Sequence, residues 1–175
     1  MIKIMLEHLS NLRQSERIFE PNQFLFHRVD PVKFMFMIVS GSAHLIRRSA
    51  NGNALILQRA TTGSILAEAS LFSTDYHCDA VAASKTVARI MSKPAMQQLF
   101  YKDRDFAKAW STHLAAEVRH ARLRAEILSF KTVSEKLDAW IAERGHTPEK
   151  GNWRPVAQEI GVSPEALYRE MAKRK

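Results

Sequence analysis

Seven histidines stand at positions 8, 27, 44, 77, 113, 120 and 146, and the single cysteine is Cys78. No pair of histidines shows the H-E-x-x-H spacing that presents two imidazoles and a base to one zinc ion. His113 and His120 are two helical turns apart, which at ~1.5 Å per residue is ~10 Å and too far for a shared metal. One thiol cannot close an internal disulfide or build an all-cysteine zinc or iron–sulfur site. No glycine pattern frames a serine as a strained nucleophile. The chain therefore reads as a non-enzyme, with no catalytic residue, no metal and no cofactor expected.

Chemistry of another kind is concentrated near the C-terminus. Arg154-Pro-Val-Ala-Gln-Glu-Ile-Gly161-Val-Ser-Pro-Glu-Ala-Leu-Tyr-Arg169 has the spacing of a helix-turn-helix. Ala157 is small where two helices cross, and Gly161 supplies the positive φ of the turn. Val156, Ile160, Val162 and Leu167 form the shared apolar face. Ser163 is placed to cap the second helix, and Pro164 suits its first position. A second helix of this kind offers its N-terminal side chains to base edges in the major groove. Those are Glu165, Tyr168 and Arg169, with Ser163 near a phosphate. Arginine can hold guanine with two hydrogen bonds, and glutamate can accept from a cytosine amino group. Lys173, Arg174 and Lys175 are candidate phosphate contacts.

The elements that must position these residues follow from periodicity. The chain has 175 residues, 46% hydrophobic and 25% charged, as in an ordinary globular protein. Up to about residue 93, short β-rich runs alternate with turn residues. Arg17–Phe19, Phe24–Phe26, Phe34–Val39, Ala43–Arg48, Ala54–Ala60, Ala80–Ala83 and Val87–Met91 read as strands. Ala43, Leu45 and Arg47 share one face, and Leu55 and Leu57 alternate against Ile56. Asn51-Gly52 is a strong hairpin signal. These signals suggest a small antiparallel barrel or sandwich.

From Lys93 onward the pattern is helical. One short helix starts at Pro94. A long one covers about 105–129, and its stripe of Trp110, Leu114, Val118, Ala121, Ala125 and Leu128 reads as a dimer seam. A third helix covers about 132–144, with Val133, Leu137, Trp140 and Ile141 on its buried face. Two more cover 153–160 and 164–174.

The net charge of +8 comes from 26 basic and 18 acidic residues. It attracts polyanions, nucleic acid first among them. Residues 1–100 and 101–175 each carry +4, so charge alone does not locate a binding face. No apolar run approaches the ~20 residues of a membrane span. The N-terminal residues meet the acidic and polar Glu7 and His8 too early for a signal peptide. A cytoplasmic protein is expected, with no membrane partner.

A β-rich N-terminal part, a long helix and a C-terminal helix-turn-helix together resemble the Crp/Fnr family of bacterial transcription regulators. Gly41 looks like the turn glycine that precedes the family's next strand, and Gly63–Phe72 resembles its glycine-then-Gly-Glu segment. Ser163, Glu165 and Arg169 resemble its recognition-helix pattern. The resemblance implies an α+β fold. An antiparallel β-roll, a cupin-like double-stranded β-helix, would occupy 1–103, a dimerisation helix 104–130 and the helix-turn-helix 131–175. It implies a homodimer on an inverted repeat of double-stranded DNA, with RNA polymerase as a further partner. A small-molecule effector in the β-roll would tilt the long helix about a hinge near residues 129–131.

The departures from the family are specific. Ala67 stands where the Gly-Glu pair has its glycine, and Glu68 is retained. The arginine that holds a cyclic phosphate falls at His77 or Cys78, and neither replaces a guanidinium fork. Glu68, Ser70, His77 and Cys78 are the expected effector residues, and cyclic AMP is not the expected effector. Cysteines for an iron–sulfur centre are absent before Cys78, and His77 and Cys78 are poorly arranged for a haem iron. The chain ends at Lys175, where the family continues into a β-hairpin wing, so a minimal DNA-binding domain is expected. Glu170 replaces an aliphatic residue of the pattern. The alternative reading is an effector- or protein-binding module that has lost sequence-specific DNA binding.

Overall fold

The computed structural model describes residues 5, 8–9, 12, 14–48, 54–149, 151 and 153–174. Among the described residues, eight strands form two antiparallel four-stranded sheets. They are β1 (Gln14–Phe19), β2 (Phe24–Phe26), β3 (Phe34–Ser40), β4 (Ser42–Arg48), β5 (Ala54–Thr61), β6 (Ile65–Leu66), β7 (Asp79–Ala82) and β8 (Thr86–Ser92). The first sheet runs β1-β8-β3-β6 and the second β2-β7-β4-β5. The fold is thus mixed α and β, with a jelly-roll-like β unit followed by helices. The expected Asn51-Gly52 turn lies outside the described residues, but the strands on either side pair from Ser42↔Thr61 to Arg48↔Ala54.

The apolar run Met35–Ile38 is buried throughout, which explains why it lacks strand alternation. Phe26 joins it to the loop before β7. Its ring stacks on Tyr76 at 4.0 Å, and the Tyr76 hydroxyl donates to the Phe34 carbonyl at 2.8 Å. A bulge modifies the β4–β5 pairing. Leu45 faces Gln58 while Ile46 faces Ile56, so Leu57 is the extra residue. Two residues against one shifts the side-chain alternation. On β5, Ile56 and Leu57 are therefore both partly buried, and Leu55 is 64% exposed. The regular alternation expected over Leu55 to Leu57 is corrected accordingly.

Five α-helices follow, α1 (Lys93–Lys102), α2 (Arg104–Ser129), α3 (Val133–Arg144), α4 (Trp153–Glu159) and α5 (Pro164–Lys173). The Ser92 hydroxyl caps α1 by accepting from the Ala95 N–H, and Pro94 lies in its first turn. Asp103 starts α2 by accepting from the N–H groups of Asp105 and Phe106. Thr132 and Glu135 form a reciprocal capping box at the start of α3. Among the described residues no helix is long and apolar enough to cross a membrane.

Contacts divide the chain into two compact units, Met1–Leu114 and Ala115–Lys175. The division falls inside α2, and residues 129–131, expected as a hinge, lie within the second unit. Phe106, Ala109 and Trp110 are buried in the core of the first, with Leu114 partly buried against it. Fully burying side chains of this size stabilises by about 1.5–3 kcal/mol each. The apolar stripe expected as one seam thus splits. Trp110, 0% exposed, is a core residue of its own chain, whereas Val118, Ala121, Ala125 and Leu128 are exposed. Both roles satisfy the same helical period, so spacing alone did not separate them. The second core joins Ile127 to Leu137, Trp140, Val156, Ile160 and Leu167.

Candidate functional site

In the β unit, Ala67 introduces a short 3-10 turn at Glu68–Ser70. Its φ of 67° and ψ of 12° are left-handed. The residue keeps the backbone conformation that glycine adopts freely, at a cost of about 1–2 kcal/mol. That turn folds Glu68 (7% exposed) and Ser70 (1% exposed) inward. The Ser70 hydroxyl lies 3.3 Å from His77 Nδ1. Arg47 Nη2 donates to the His77 carbonyl at 3.1 Å. Burial and the Arg47 charge both lower the His77 pKa, so the imidazole is neutral at neutral pH. Glu68, Ser70, His77 and Cys78, all expected from sequence, come together here, since the Glu68 charge reaches the Cys78 thiol.

Arg47 is the residue that sequence reasoning left without a role. The β4–β7 ladder pairs Ile46 with Asp79. The next step along it brings Arg47 beside His77 and Cys78. The signal was the alternation of Ala43, Leu45 and Arg47.

Cys78 is 1% exposed. Burial first, then the charges of Glu68 and Asp79, push its pKa up to about 11. The thiolate is the reactive form. At pH 8 it amounts to about one molecule in a thousand, so Cys78 is inert in the folded protein. A disulfide reagent such as DTNB should label it only as the chain unfolds. Equal labelling rates in native and urea-unfolded protein would contradict this. The sign of the pH dependence follows. The raised pKa favours the folded state below the ordinary value near 9, and that stability is lost as pH rises through about 11. His77 is exposed and Cys78 buried, which does not bring both to one iron.

In the second unit, α4 and α5 meet at a tight turn. Ala157 is fully buried, and Gly161 has φ 68°. A Cβ at position 161 would lie 2.5 Å from Leu128 Cδ2, the movable end of a side chain, so a side chain there is strained by conformation more than by contact. The Ser163 hydroxyl accepts from the Ala166 N–H at 3.2 Å, and Pro164 opens α5. Leu167 is buried, while Glu165, Tyr168, Arg169 and Lys173 are exposed.

The Glu165 pKa is lowered by hydrogen bonds from its own N–H and the Ser163 hydroxyl, with Arg154 and Arg169 adding attraction. The carboxylate is therefore ionised at neutral pH and in electrostatic contact with Arg169. Tyr168 packs against Trp153, with ring centroids 5.2 Å apart, and Trp153 Nε1 donates to the Pro148 carbonyl. That aromatic support for the exposed face of α5 was not read from the sequence.

Arg174, a candidate phosphate contact, is engaged within the protein. It donates to Asp138 at 2.6 Å, to the Ser134 hydroxyl at 2.7 Å and to Glu170 at 2.9 Å. It ties α5 to α3, so a phosphate would have to compete with these partners. The same pairing explains Glu170, whose carboxylate meets Arg174 where an aliphatic side chain was expected. Lys175 lies outside the described residues.

Residues 16–103, half of the chain, match the cyclic nucleotide-binding domain. No curated protein matches the sequence. Among solved structures, FixK2 from Bradyrhizobium japonicum is 18% identical and superposes with a TM-score of 0.71, over 93% of this chain and 84% of that one. The c-di-GMP responsive global regulator CLP of Xanthomonas campestris is also 18% identical, with a TM-score of 0.67 over 98% and 90% of the two chains. The Thermus thermophilus catabolite activator protein is 20% identical, with a TM-score of 0.58 over 98% and 81%. These likenesses concern the fold. The match that spans β1 to the end of α1, on strands and turns described above, is one of sequence, and by it this chain belongs to the cyclic nucleotide-binding domain family.

Proposed function

We propose that this protein is a dimeric transcription regulator of the Crp/Fnr type, binding an inverted repeat of double-stranded DNA. The observation that carries the reading is the exposed face of α5. Glu165, Tyr168 and Arg169 stand together on it, behind a serine cap and above a buried Leu167. On this reading α4 and α5 are a helix-turn-helix, and α5 enters the major groove. The exposed Val118, Ala121, Ala125 and Leu128 on α2 are the seam to a second copy. Two recognition helices then meet half-sites about one helical turn, ~34 Å, apart. The β unit takes an effector other than cyclic AMP, because the neutral Cys78 thiol gives a cyclic phosphate no charge partner.

The test is selection of genomic DNA fragments by the purified protein at two salt concentrations, followed by sequencing. A two-fold-symmetric motif retained at both salts is expected. Retention that shares no motif and disappears at the higher salt would be backbone electrostatics alone. That result would favour the second reading, a ligand- or protein-binding module without a specific operator. One observation supports that alternative, the engagement of Arg174 within the protein.

A further inference from the structure

We propose that the cavity between β2 and the start of β3 binds a free α-amino acid with an aromatic or branched apolar side chain, its ammonium held by Asp30 and its carboxylate by Lys33. None of Glu68, Ser70, His77 and Cys78 lines this cavity, and the inference does not depend on the DNA-binding reading.

The cavity has a volume of about 290 Å³. That is just below the ~300–1,000 Å³ usual for ligand pockets and suits a molecule of amino-acid size. Its floor is apolar. Leu25, Phe26, Phe36 and Tyr76 line it, and each is 9% exposed or less. The Phe26 ring stacks on Tyr76 and lies 5.5 Å from Phe36. The Tyr76 hydroxyl donates to the Phe34 carbonyl and accepts from the Phe34 N–H, so its polar atom is already satisfied. A phenyl or isobutyl group set on this floor leaves water without stranding a polar partner.

The mouth is charged. Asp30 and Lys33 line it with opposite signs, and both are exposed. Among the described residues they form no ion pair with each other or with a third group. Asp30 Oδ2 accepts from the His27 N–H at 3.3 Å, which leaves Oδ1 for a ligand. Burial raises the Tyr76 pKa and the Asp30 charge adds to the rise, so this carboxylate is within electrostatic reach of the floor. A simple anion would meet repulsion from Asp30, and a simple cation repulsion from Lys33. A molecule with both charges meets an opposite partner at each. An α-amino acid carries both, and its side chain, on one carbon.

The wall that holds Asp30 is formed in advance. The Val29 N–H donates to the Tyr76 carbonyl at 2.9 Å, the Tyr76 N–H to the Asp30 carbonyl at 3.0 Å and the Val32 N–H to the Thr74 carbonyl at 2.8 Å. They keep Val29 at φ 72°, a left-handed conformation that a β-branched residue holds only where its surroundings impose it. Little ordering remains to oppose binding.

The experiment is calorimetric titration of the whole protein, at neutral pH and fixed ionic strength, with L-phenylalanine, L-leucine, L-alanine, 3-phenylpropionate and 2-phenylethylamine. L-Phenylalanine or L-leucine should bind, and L-alanine, which cannot reach the floor, should bind at least roughly tenfold more weakly. 3-Phenylpropionate lacks the ammonium and 2-phenylethylamine the carboxylate. Each should lose roughly tenfold or more against L-phenylalanine. Lys33→Gln should weaken L-phenylalanine by a similar factor without weakening 2-phenylethylamine. Asp30→Asn, which keeps an oxygen for the His27 N–H, should weaken L-phenylalanine without weakening 3-phenylpropionate. Both positions are exposed, so the urea midpoint should not change. The proposal is overturned if neither L-phenylalanine nor L-leucine binds at millimolar concentration, or if either variant binds them as wild type does.

Discussion

Replacing Gly41 with alanine will strongly destabilise the β unit. Gly41 joins β3 to β4 with φ +83°, and a Cβ built on it lies 2.3 Å from the Lys85 carbonyl oxygen and 2.8 Å from Thr86 Cα. Both neighbours are backbone, so no side chain can swing aside. Moving them disturbs Thr86, which is 0% exposed and donates to the Ser42 carbonyl while accepting from the Ser42 N–H. Left-handed strain costs about 1–2 kcal/mol. Overpacking adds about 1–3 kcal/mol, and a broken buried hydrogen bond about 1–3 kcal/mol more. Together these remove much of the ~5–15 kcal/mol by which domains are stable. Gly63→Ala is the matched control, because its φ is +88° and nothing lies within 4 Å of the added atom. Urea denaturation should show a loss of at least about 3 kcal/mol at position 41 and only the strain at position 63. Equal losses would mean that the close approach at Gly41 is relieved without penalty.

Arg169→Ala will have the largest effect on DNA. A bidentate arginine–guanine contact is worth about 1–3 kcal/mol per base read. A symmetric dimer loses it in both half-sites, so about 2–6 kcal/mol, or roughly 30-fold to 10⁴-fold in affinity, should go for the selected operator. Binding to scrambled DNA should fall much less. Lys173→Ala should weaken both DNAs similarly and reduce the salt slope by about one unit per protomer. Fluorescence anisotropy on the two duplexes checks this. If Arg169→Ala weakens them equally, the residue acts as a charge and not as a reader of sequence. Arg169 is exposed, so folding should not change.

The strands other than β6, and the last two helices, were legible because their signals are local. Alternating apolar residues, Gly161 at a turn and Ser163-Pro164 at a helix start each act within a few residues. What escaped depends on partners distant in sequence. The bulge at Leu57 requires knowing that β4 sits between β5 and β7. Trp110 fits a helical stripe whether it meets a second copy or its own β unit, and only packing decides. Arg174 looks like a free cation until α3 presents Ser134 and Asp138, about forty residues earlier in the chain, to it. The candidate effector residues were readable as a set, but the cation beside them came from the facing strand. No motif along one segment contains both Arg47 and Cys78.

The three tryptophans occupy places that make the protein report on itself optically. Trp110 is sealed in the first unit, and Trp140 is buried in the second, donating to Glu159. Trp153 alone is partly exposed, and its ring lies against Tyr168 on the outer face of α5. Whatever settles on that face must alter the surroundings of Trp153 and leave Trp110 in the dark. Emission that acrylamide can reach should thus come chiefly from Trp153. A decrease in its quenching on adding operator DNA would mark the seating of α5 without any attached dye.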